Sequence, residues 1–144
     1  MNWETFAEAA STTSWLAYVA TVRPDGEPHL AVVSPGIGRE GVVWFATRAS
    51  SQKARNLRGH PGVAFHWPVG GPGPGELTAR GTATIHHDPV SRARLWQAGV
   101  VPFDLAGFFG SPENDDLAFV EVAIERVRLV GPDFVARVWT TGPR

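Results

Sequence analysis

A stretch without any acidic side chain, residues 41–75, is the part of the sequence best suited to chemistry. Near its middle stand Ser50 and Ser51, followed by Lys53. Serine is a common N-cap, and the first N–H groups of a helix that begins there have no backbone partner. Hydroxyls, free N–H groups, the positive end of the helix dipole and a lysine together favour an anion such as a phosphate monoester. Arg48 ends the preceding strand and is expected to face the same site.

The same residues are also compatible with a capped surface helix whose basic side chains are simply solvated. Residue types alone leave these two interpretations open. The whole chain has a formal net charge of −1, which argues against binding of nucleic acid or membranes driven by overall charge. A basic patch on a nearly neutral chain therefore indicates a small anion as the partner, with no nucleic acid and no membrane.

The bulk composition is that of an ordinary globular protein and excludes several classes of site. With 144 residues, 43% of them hydrophobic, the chain is expected to form a single domain over residues 1–144. The absence of cysteine excludes disulfides, thiolate nucleophiles and cysteine zinc sites. The first residues lack the basic start and apolar run of a signal peptide, and no apolar stretch could span a bilayer. We therefore expect a cytoplasmic protein.

Other candidate sites carry less weight. His86 and His87 could suggest a metal, but neighbours on a strand point to opposite faces, so no metal site is expected. Asp115 and Asp116 are expected to form a solvated turn rather than a catalytic pair. No Gly-x-Ser-x-Gly nucleophile motif and no glycine-rich nucleotide motif is present. The sequence therefore identifies no catalytic residue.

Short strands separated by turn residues dominate the pattern along the chain. Runs of branched and aromatic residues predict strands over residues 15–22, 29–34, 41–47, 63–67, 77–86, 118–130 and 134–140. Helices are predicted after Asn2, after Ser50 or Ser51, and after Asp88, because each is a suitable N-cap. This spacing favours a barrel or a sandwich of mainly antiparallel strands with helices outside.

Three segments depart from regular strands and turns. The apolar pattern of residues 118–130 changes phase near Glu125 and Arg126, which suggests a β-bulge of the kind that closing barrels require. Residues 68–75 consist almost entirely of glycine and proline and predict a mobile surface loop. Residues 99–116 look irregular, and we expect them, with the glycine–proline loop, to supply the variable lining of a substrate site.

A resemblance to a known family is carried by two segments. Residues 44–65, Trp-Phe-Ala-Thr-Arg-Ala-Ser-Ser-Gln-Lys-Ala-Arg-Asn-Leu-Arg-Gly-His-Pro-Gly-Val-Ala-Phe, resemble the central segment of the pyridoxamine 5'-phosphate oxidase-like superfamily. Residues 20–29, Ala-Thr-Val-Arg-Pro-Asp-Gly-Glu-Pro-His, resemble the first hairpin of that family, which includes general stress protein and deazaflavin-dependent branches. The resemblance implies a mainly β fold: a six- to seven-stranded antiparallel split β-barrel of Greek key type with peripheral helices.

The resemblance also implies a cofactor, and with it an activity. The cofactor would be FMN or, alternatively, the deazaflavin coenzyme F-420, and a hydride would pass between it and a small organic substrate. The phosphate would be held by residues that follow the third predicted strand: Thr47, Arg48, Ser51, Gln52 and Lys53. The ring would lie near residues of the second to fourth predicted strands: His29, Val32, Trp44, Ala46 and Trp67. Family members are homodimers, which implies a cofactor at the subunit interface.

The match to pyridoxamine oxidases themselves is incomplete. Their first phosphate motif, an arginine followed five residues later by a lysine, is absent, and Trp139 and Arg144 are only loose counterparts of their C-terminal tryptophan and arginine. We therefore do not expect true pyridoxamine phosphate oxidation. The acidic tail of a deazaflavin coenzyme would favour further arginines, for which Arg55 and Arg58 are candidates. Two alternatives stay open: a non-catalytic flavin- or haem-binding storage or sensor protein, and a structural dimer with a degenerate site.

Overall fold

A computed structural model describes residues 1–70 and 75–141 of the chain. The predicted glycine–proline loop falls partly outside this range, at residues 71–74, and Arg144 lies outside it as well. The described strands are β1 (Ala17–Val22), β2 (Pro28–Val33), β3 (Gly36–Ile37), β4 (Val42–Arg48), β5 (Gly62–Trp67), β6 (Glu76–His86), β7 (Leu117–Val130) and β8 (Ala136–Thr140). The helices are α1 (Trp3–Ser11), α2 (Gln52–Gly59), α3 (Pro89–Ala98) and α4 (Leu105–Phe109).

The strands form one antiparallel sheet that curls into a half-barrel. Its order is β2-β1-β5-β6-β7-β4-β3, and β8 pairs with β7 beside this path. The neighbours β1 and β5, and likewise β7 and β4, are distant in the chain, so long connections cross between the two halves as in a Greek key. The predicted split-barrel class is therefore confirmed, with seven strands along the main path.

The short strand β3 was not predicted: it lies between the strands predicted over residues 29–34 and 41–47. Gly36 in fact pairs with Trp44 of β4. A Cβ atom at position 36 would collide with the backbone carbonyl of Val100, so glycine here permits a close approach of two chain segments. That approach brings the connection after α3 against the edge of the sheet.

The predicted bulge in the long strand β7 is confirmed. Arg80 pairs with Arg126, while the next residue of β6, Gly81, pairs with Ile124, so that Glu125 is the extra residue. A bulge bends its strand and increases the local twist. Because of this bend, the single strand β7 pairs with β4 before the bulge and with β8 after it.

The barrel interior is filled by aromatic and branched side chains. Trp67 is only 1% exposed, and its ring lies 5.2 Å from that of Phe6 and 5.3 Å from that of Phe65. The helix α1 begins at the predicted cap Asn2 and buries Phe6 together with Trp3 in this core. Full burial of one such side chain contributes about 1.5–3 kcal/mol. The interior is therefore a packed core rather than a ligand cavity.

A second, smaller apolar cluster lies on the outer face of the sheet. Leu117 and Phe119 of β7 pack there against Leu95 of α3, Val101 and Leu105 of α4. Residues 99–116 had been predicted to be irregular, but this segment contains α4. Its cap is Asp104, whose carboxylate accepts a hydrogen bond from the N–H of Ala106. The cluster fixes the segment against the sheet beside the end of β4.

None of the helices in residues 1–70 and 75–141 is long and apolar enough to cross a membrane.

Candidate functional site

A pocket of about 430 Å³ opens where the ends of β2 and β4 meet the start of α2 and the α4 segment. We call it the α2 pocket. It is lined by Val32, Val33, Ser34, Ala46, Thr47, Arg48, Ser51, Lys53, Phe103, Phe108 and Phe109. The structure thus brings together most of the residues predicted from the sequence, including four of the polar ones: Thr47, Arg48, Ser51 and Lys53.

The polar end of the α2 pocket is built on the start of α2. Ser51 is the N-cap, and its Oγ accepts a hydrogen bond of 3.2 Å from the N–H of Ala54. Thr47 donates its hydroxyl to the same Oγ at 3.0 Å. Among the described residues, the backbone N–H groups of Gln52 and Lys53 have no protein acceptor. Two donors and the positive end of the helix dipole are therefore available to an anion.

Lys53 is the single lysine of the sequence and lines the pocket. Its side chain is partly buried, and it forms no ion pair with any described residue. Burial lowers the pKa of Lys53, because a desolvated ammonium group loses its hydration. A phosphate bound beside it would supply the missing opposite charge, so the geometry suits an anionic ligand.

An acidic residue from a distant part of the chain anchors the loop before α2. Asp116 accepts hydrogen bonds from the N–H and the hydroxyl of Ser50, at 2.9 and 3.1 Å. Its backbone carbonyl accepts a third from the N–H of Ala49 at 2.6 Å, and Arg48 approaches its carboxylate to 3.5 Å. The bonds from Ser50 hold the pKa of Asp116 below its usual value. Asp116 lies in a turn, as expected, but its carboxylate also binds the loop before α2.

This anchor changes the roles of two predicted anion donors. The hydroxyl of Ser50 is used by Asp116, whereas Ser51 and Thr47 remain at the pocket. The guanidinium of Arg48 pairs weakly with Asp116 and lies 6.0 Å from the centre of the Phe109 ring. Arg48 is therefore placed between the polar end and the aromatic end of the pocket.

Gln52 had been predicted to hold a phosphate, but its side chain runs along the helix instead. Its Nε2 donates to Asn56 at 2.7 Å, and its Oε1 accepts from Arg55 at 2.7 Å. Asn56 is buried and donates in turn to the hydroxyl of Thr21 on β1 at 3.0 Å. The side chain of Gln52 therefore helps to fix α2 against the barrel, and only its backbone N–H faces the anion site.

Arg55 and Arg58, the candidates for an acidic cofactor tail, are both engaged with the loop before α2. Arg55 donates to the carbonyl of Ser50 at 2.6 Å, and Arg58 donates to the carbonyl of Ala49 at 3.0 Å. The two arginines therefore stabilise the loop geometry.

Only two of the five residues predicted to contact the cofactor ring line the α2 pocket. Val32 and Ala46 line the α2 pocket. Trp67 does not, because the alternation of β5 turns its ring into the core, where it is 1% exposed. The ring of Trp44 lies on the outer face of β4, 5.7 Å from that of His86. His29 of β2 is not part of the pocket lining, and its Nδ1 is buried.

Three phenylalanines form the apolar end of the pocket and were not identified from the sequence. Phe103, Phe108 and Phe109 come from the α4 segment, and the rings of Phe103 and Phe108 meet edge to face at 5.4 Å. Phe108 is 68% exposed. The sequence had assigned residues 99–116 to the variable lining, but only the cap at Asp104 and the apolar run behind it could have indicated a helix there.

An exposed apolar surface adjoins the pocket on the outer face of β1 and β2. Tyr18 pairs with Val32 across these strands, and Leu30 pairs with Ala20. Tyr18, Leu30 and Val32 are respectively 43%, 68% and 54% exposed. Contiguous exposed apolar side chains of this kind mark interaction surfaces. Because Val32 belongs to both the surface and the pocket, whatever covers the surface would also border the pocket.

The sequence matches a model of a known protein family. The model of the family described as pyridoxamine 5'-phosphate oxidase matches residues 6–131. Among curated protein sequences none matches the chain.

Solved structures share the fold over nearly the whole chain. A protein related to general stress protein 26 from Clostridium acetobutylicum is 16% identical, with a TM-score of 0.76 over 97% of this chain and 96% of that one. A pyridoxamine 5'-phosphate oxidase-related, FMN binding protein from Nostoc punctiforme is 15% identical, with a TM-score of 0.67 over 98% and 97%. An F-420 reductase is 24% identical, with a TM-score of 0.59 over 86% and 94%. At these identities the likeness shows a common fold.

Proposed function

Because the chain belongs to the pyridoxamine 5'-phosphate oxidase family, we propose that it is an oxidoreductase that holds FMN, or a deazaflavin coenzyme, in the α2 pocket. One observation carries this proposal. Lys53, partly buried and without an ion-pair partner in the described residues, stands beside the two free N–H groups at the start of α2. That combination fits a phosphate monoester, which is the group that ends the side chain of a flavin mononucleotide.

The two ends of the pocket would hold different parts of the cofactor. The side chain of Lys53, the N–H groups of Gln52 and Lys53, and the hydroxyl of Ser51, which accepts from Thr47 and Ala54 and keeps its own proton to donate, would bind the phosphate. Val32, Ala46 and the three phenylalanines would pack against the ring system and exclude water from it. When bound, a flavin-type ring supplies hydride transfer. Protein groups are then needed chiefly to bind and orient, which agrees with the lack of an acid–base pair in this lining.

We further propose that the protein acts as a homodimer. The exposed apolar surface formed by Tyr18, Leu30 and Val32 borders the mouth of the pocket. A second copy that covered this surface would turn the open groove into an enclosed site, as a water-sensitive hydride transfer requires. A stable interface of ordinary size buries about 1,200–2,000 Å² in total, which a face of this sheet can supply.

FMN is favoured over a deazaflavin coenzyme by the positions of Arg55 and Arg58. Both guanidinium groups already donate to loop carbonyls, so pairing with the carboxylates of an acidic tail would be left to their remaining N–H groups. The test is the absorbance spectrum of the freshly purified protein, followed by titration of each coenzyme while the tryptophan fluorescence is recorded. Tighter binding of the deazaflavin than of FMN would reverse this preference.

Catalysis is tested separately from binding. We expect steady-state turnover when a reductant and a small organic acceptor are supplied with the bound cofactor. A single stoichiometric change without turnover would instead identify the protein as a flavin store or sensor, and a spectrum with a Soret band would identify a haem protein. Pyridoxamine 5'-phosphate is not the expected substrate, because β2 lacks the arginine–lysine motif of the true oxidases.

A further inference from the structure

His29 has a buried ring nitrogen that no described residue satisfies. It lies on β2 directly opposite Thr21 of β1, and its Nδ1 is shielded from solvent without a hydrogen-bond partner in the described part of the chain. Buried polar side-chain atoms nearly always have a partner, so an orphan of this kind calls for an explanation. The alternation of β2 directs His29 to the same side as Val33, toward the barrel end that α2 covers.

Contacts through Thr21 place His29 beside the turn of α2 that carries Lys53. The hydroxyl of Thr21 accepts a hydrogen bond from the amide of Asn56 at 3.0 Å. Lys53 precedes Asn56 by three residues and therefore lies on the same side of the helix. Of the charged groups, Lys53 from α2 and Arg23 from the β1–β2 turn act on His29, and both are cations. Neither has an ion-pair partner in the described residues.

These surroundings disfavour the charged form of the imidazole. Burial first, and then the charges of Arg23 and Lys53, lower the pKa of His29. Arg23 and Lys53 are the charged groups that act on His29, although the β1–β2 turn also carries Asp25 and Glu27, so the imidazole lies in a positive local field that favours a bound anion. A phosphate monoester brings a charge of about −1.5 to −2 at neutral pH, and that charge favours the imidazolium.

We propose that His29 takes up a proton from solvent when a phosphate-bearing cofactor occupies the α2 pocket, so that phosphate binding and protonation of His29 are coupled. This inference rests on the proposed function. It assigns His29 to the phosphate end of the site rather than to the ring. It makes His29 a positioning residue that supplies a second positive charge behind Lys53, and it couples cofactor affinity to pH.

The sign of the coupling follows from the two states. In the empty protein the pKa of His29 is lowered, and in the complex it is raised. The pKa of His29 is therefore higher in the complex than in the empty protein. Between these two pKa values, FMN affinity should increase as the pH falls, by up to about tenfold per pH unit. Below about pH 6 the phosphate itself gains a proton, so the range from pH 8.5 to 6.5 is the informative one.

The test compares FMN with riboflavin, which lacks the phosphate, by calorimetry in two buffers of different ionisation enthalpy at pH 7. We expect proton uptake on FMN binding to the wild-type protein and no uptake with riboflavin. The uptake should be lost in His29→Asn and kept in the control His60→Asn, since His60 is exposed at the end of α2. In the wild type, the NMR titration of the His29 ring should show a higher pKa with FMN than without it.

The possible outcomes separate the two proposals. If FMN binds tightly but uptake is equal in wild type and His29→Asn, or the His29 pKa does not move, the coupling is refuted while the proposed function stands. If the folded wild-type protein binds neither FMN nor the deazaflavin coenzyme at any pH, the proposed function fails and the coupling fails with it. If His29→Asn does not fold, the NMR titration of the wild type tests the coupling by itself: a His29 pKa that FMN does not raise refutes it.

Discussion

Asp116 accepts two hydrogen bonds from Ser50, one from its N–H at 2.9 Å and one from its hydroxyl at 3.1 Å, although 66 residues separate them. The contact arises because Arg48, at the end of β4, pairs with Leu117, at the start of β7. The loop before α2 lies in the stretch that has no acidic residue of its own. It is held by the carboxylate of Asp116, which the pairing of β4 with β7 places beside it.

We predict that Asp116→Asn weakens FMN binding several-fold without removing the fold. Asparagine keeps one acceptor for Ser50 but loses the charge that orients Arg48 and strengthens both bonds. The measurement is the FMN dissociation constant. Asp133→Asn is the matched control, because Asp133 similarly accepts from a backbone N–H and an arginine but lies in the β7–β8 turn. Equal losses in the two variants would contradict the role of Asp116 as an anchor of this loop.

The stability that Asp116 confers should depend on pH in a defined direction. Its pKa is lowered in the folded protein, so its contribution is fully present above the unfolded-state pKa of about 3.9 and is lost as the pH falls through the folded-state value. The melting temperature of the wild type should therefore exceed that of Asp116→Asn at pH 7, and the difference should shrink as the pH falls through the lowered pKa of Asp116. A difference that stays constant over this range would disprove the linkage.

Phe108 offers a test of the apolar end of the pocket. Because it is 68% exposed, Phe108→Ala should leave the melting temperature nearly unchanged. It should, however, weaken FMN and riboflavin equally, by about 3- to 30-fold if roughly 0.6–2 kcal/mol of ring packing is lost. Phe134→Ala is the control, since Phe134 is 74% exposed in the turn before β8. A loss confined to FMN would place Phe108 at the phosphate instead.

The proposed dimer makes a prediction about Leu30. Leu30→Glu puts a charge in the middle of the apolar surface on β1 and β2, and burying an unpaired carboxylate in an interface is strongly unfavourable. Light scattering coupled to size exclusion should show a dimer for the wild type and a monomer for this variant. Val90→Glu on α3, where Val90 is 76% exposed, should remain a dimer. If Leu30→Glu has the wild-type mass, this surface is not the interface.

Features with local causes could be predicted from the sequence. The start of α2 follows from its N-capping residue, Ser51. The bulge at Glu125 follows from a phase change in the apolar pattern of one strand. Both signals lie within a few residues of the feature that they indicate, so no knowledge of the rest of the fold is needed.

Features that depend on distant contacts could not be predicted. Strand β3 forms because Gly36 admits the carbonyl of Val100, and Asp116 reaches Ser50 only through the pairing of β4 with β7. Trp44 and Trp67 look equivalent as strand tryptophans, yet one lies on the outer face and the other in the core. The lining contributed by Phe108 likewise depends on where the sheet places α4.

Lys53→Ala tests most directly whether the start of α2 binds the phosphate of a flavin-type cofactor. Calorimetry should show FMN affinity reduced at least tenfold, or roughly 1.4 kcal/mol, while riboflavin affinity stays unchanged. Arg94→Ala, which removes an exposed cation from α3, should change neither. If Lys53→Ala binds both FMN and the deazaflavin coenzyme as tightly as the wild type, the phosphate is not held at this site.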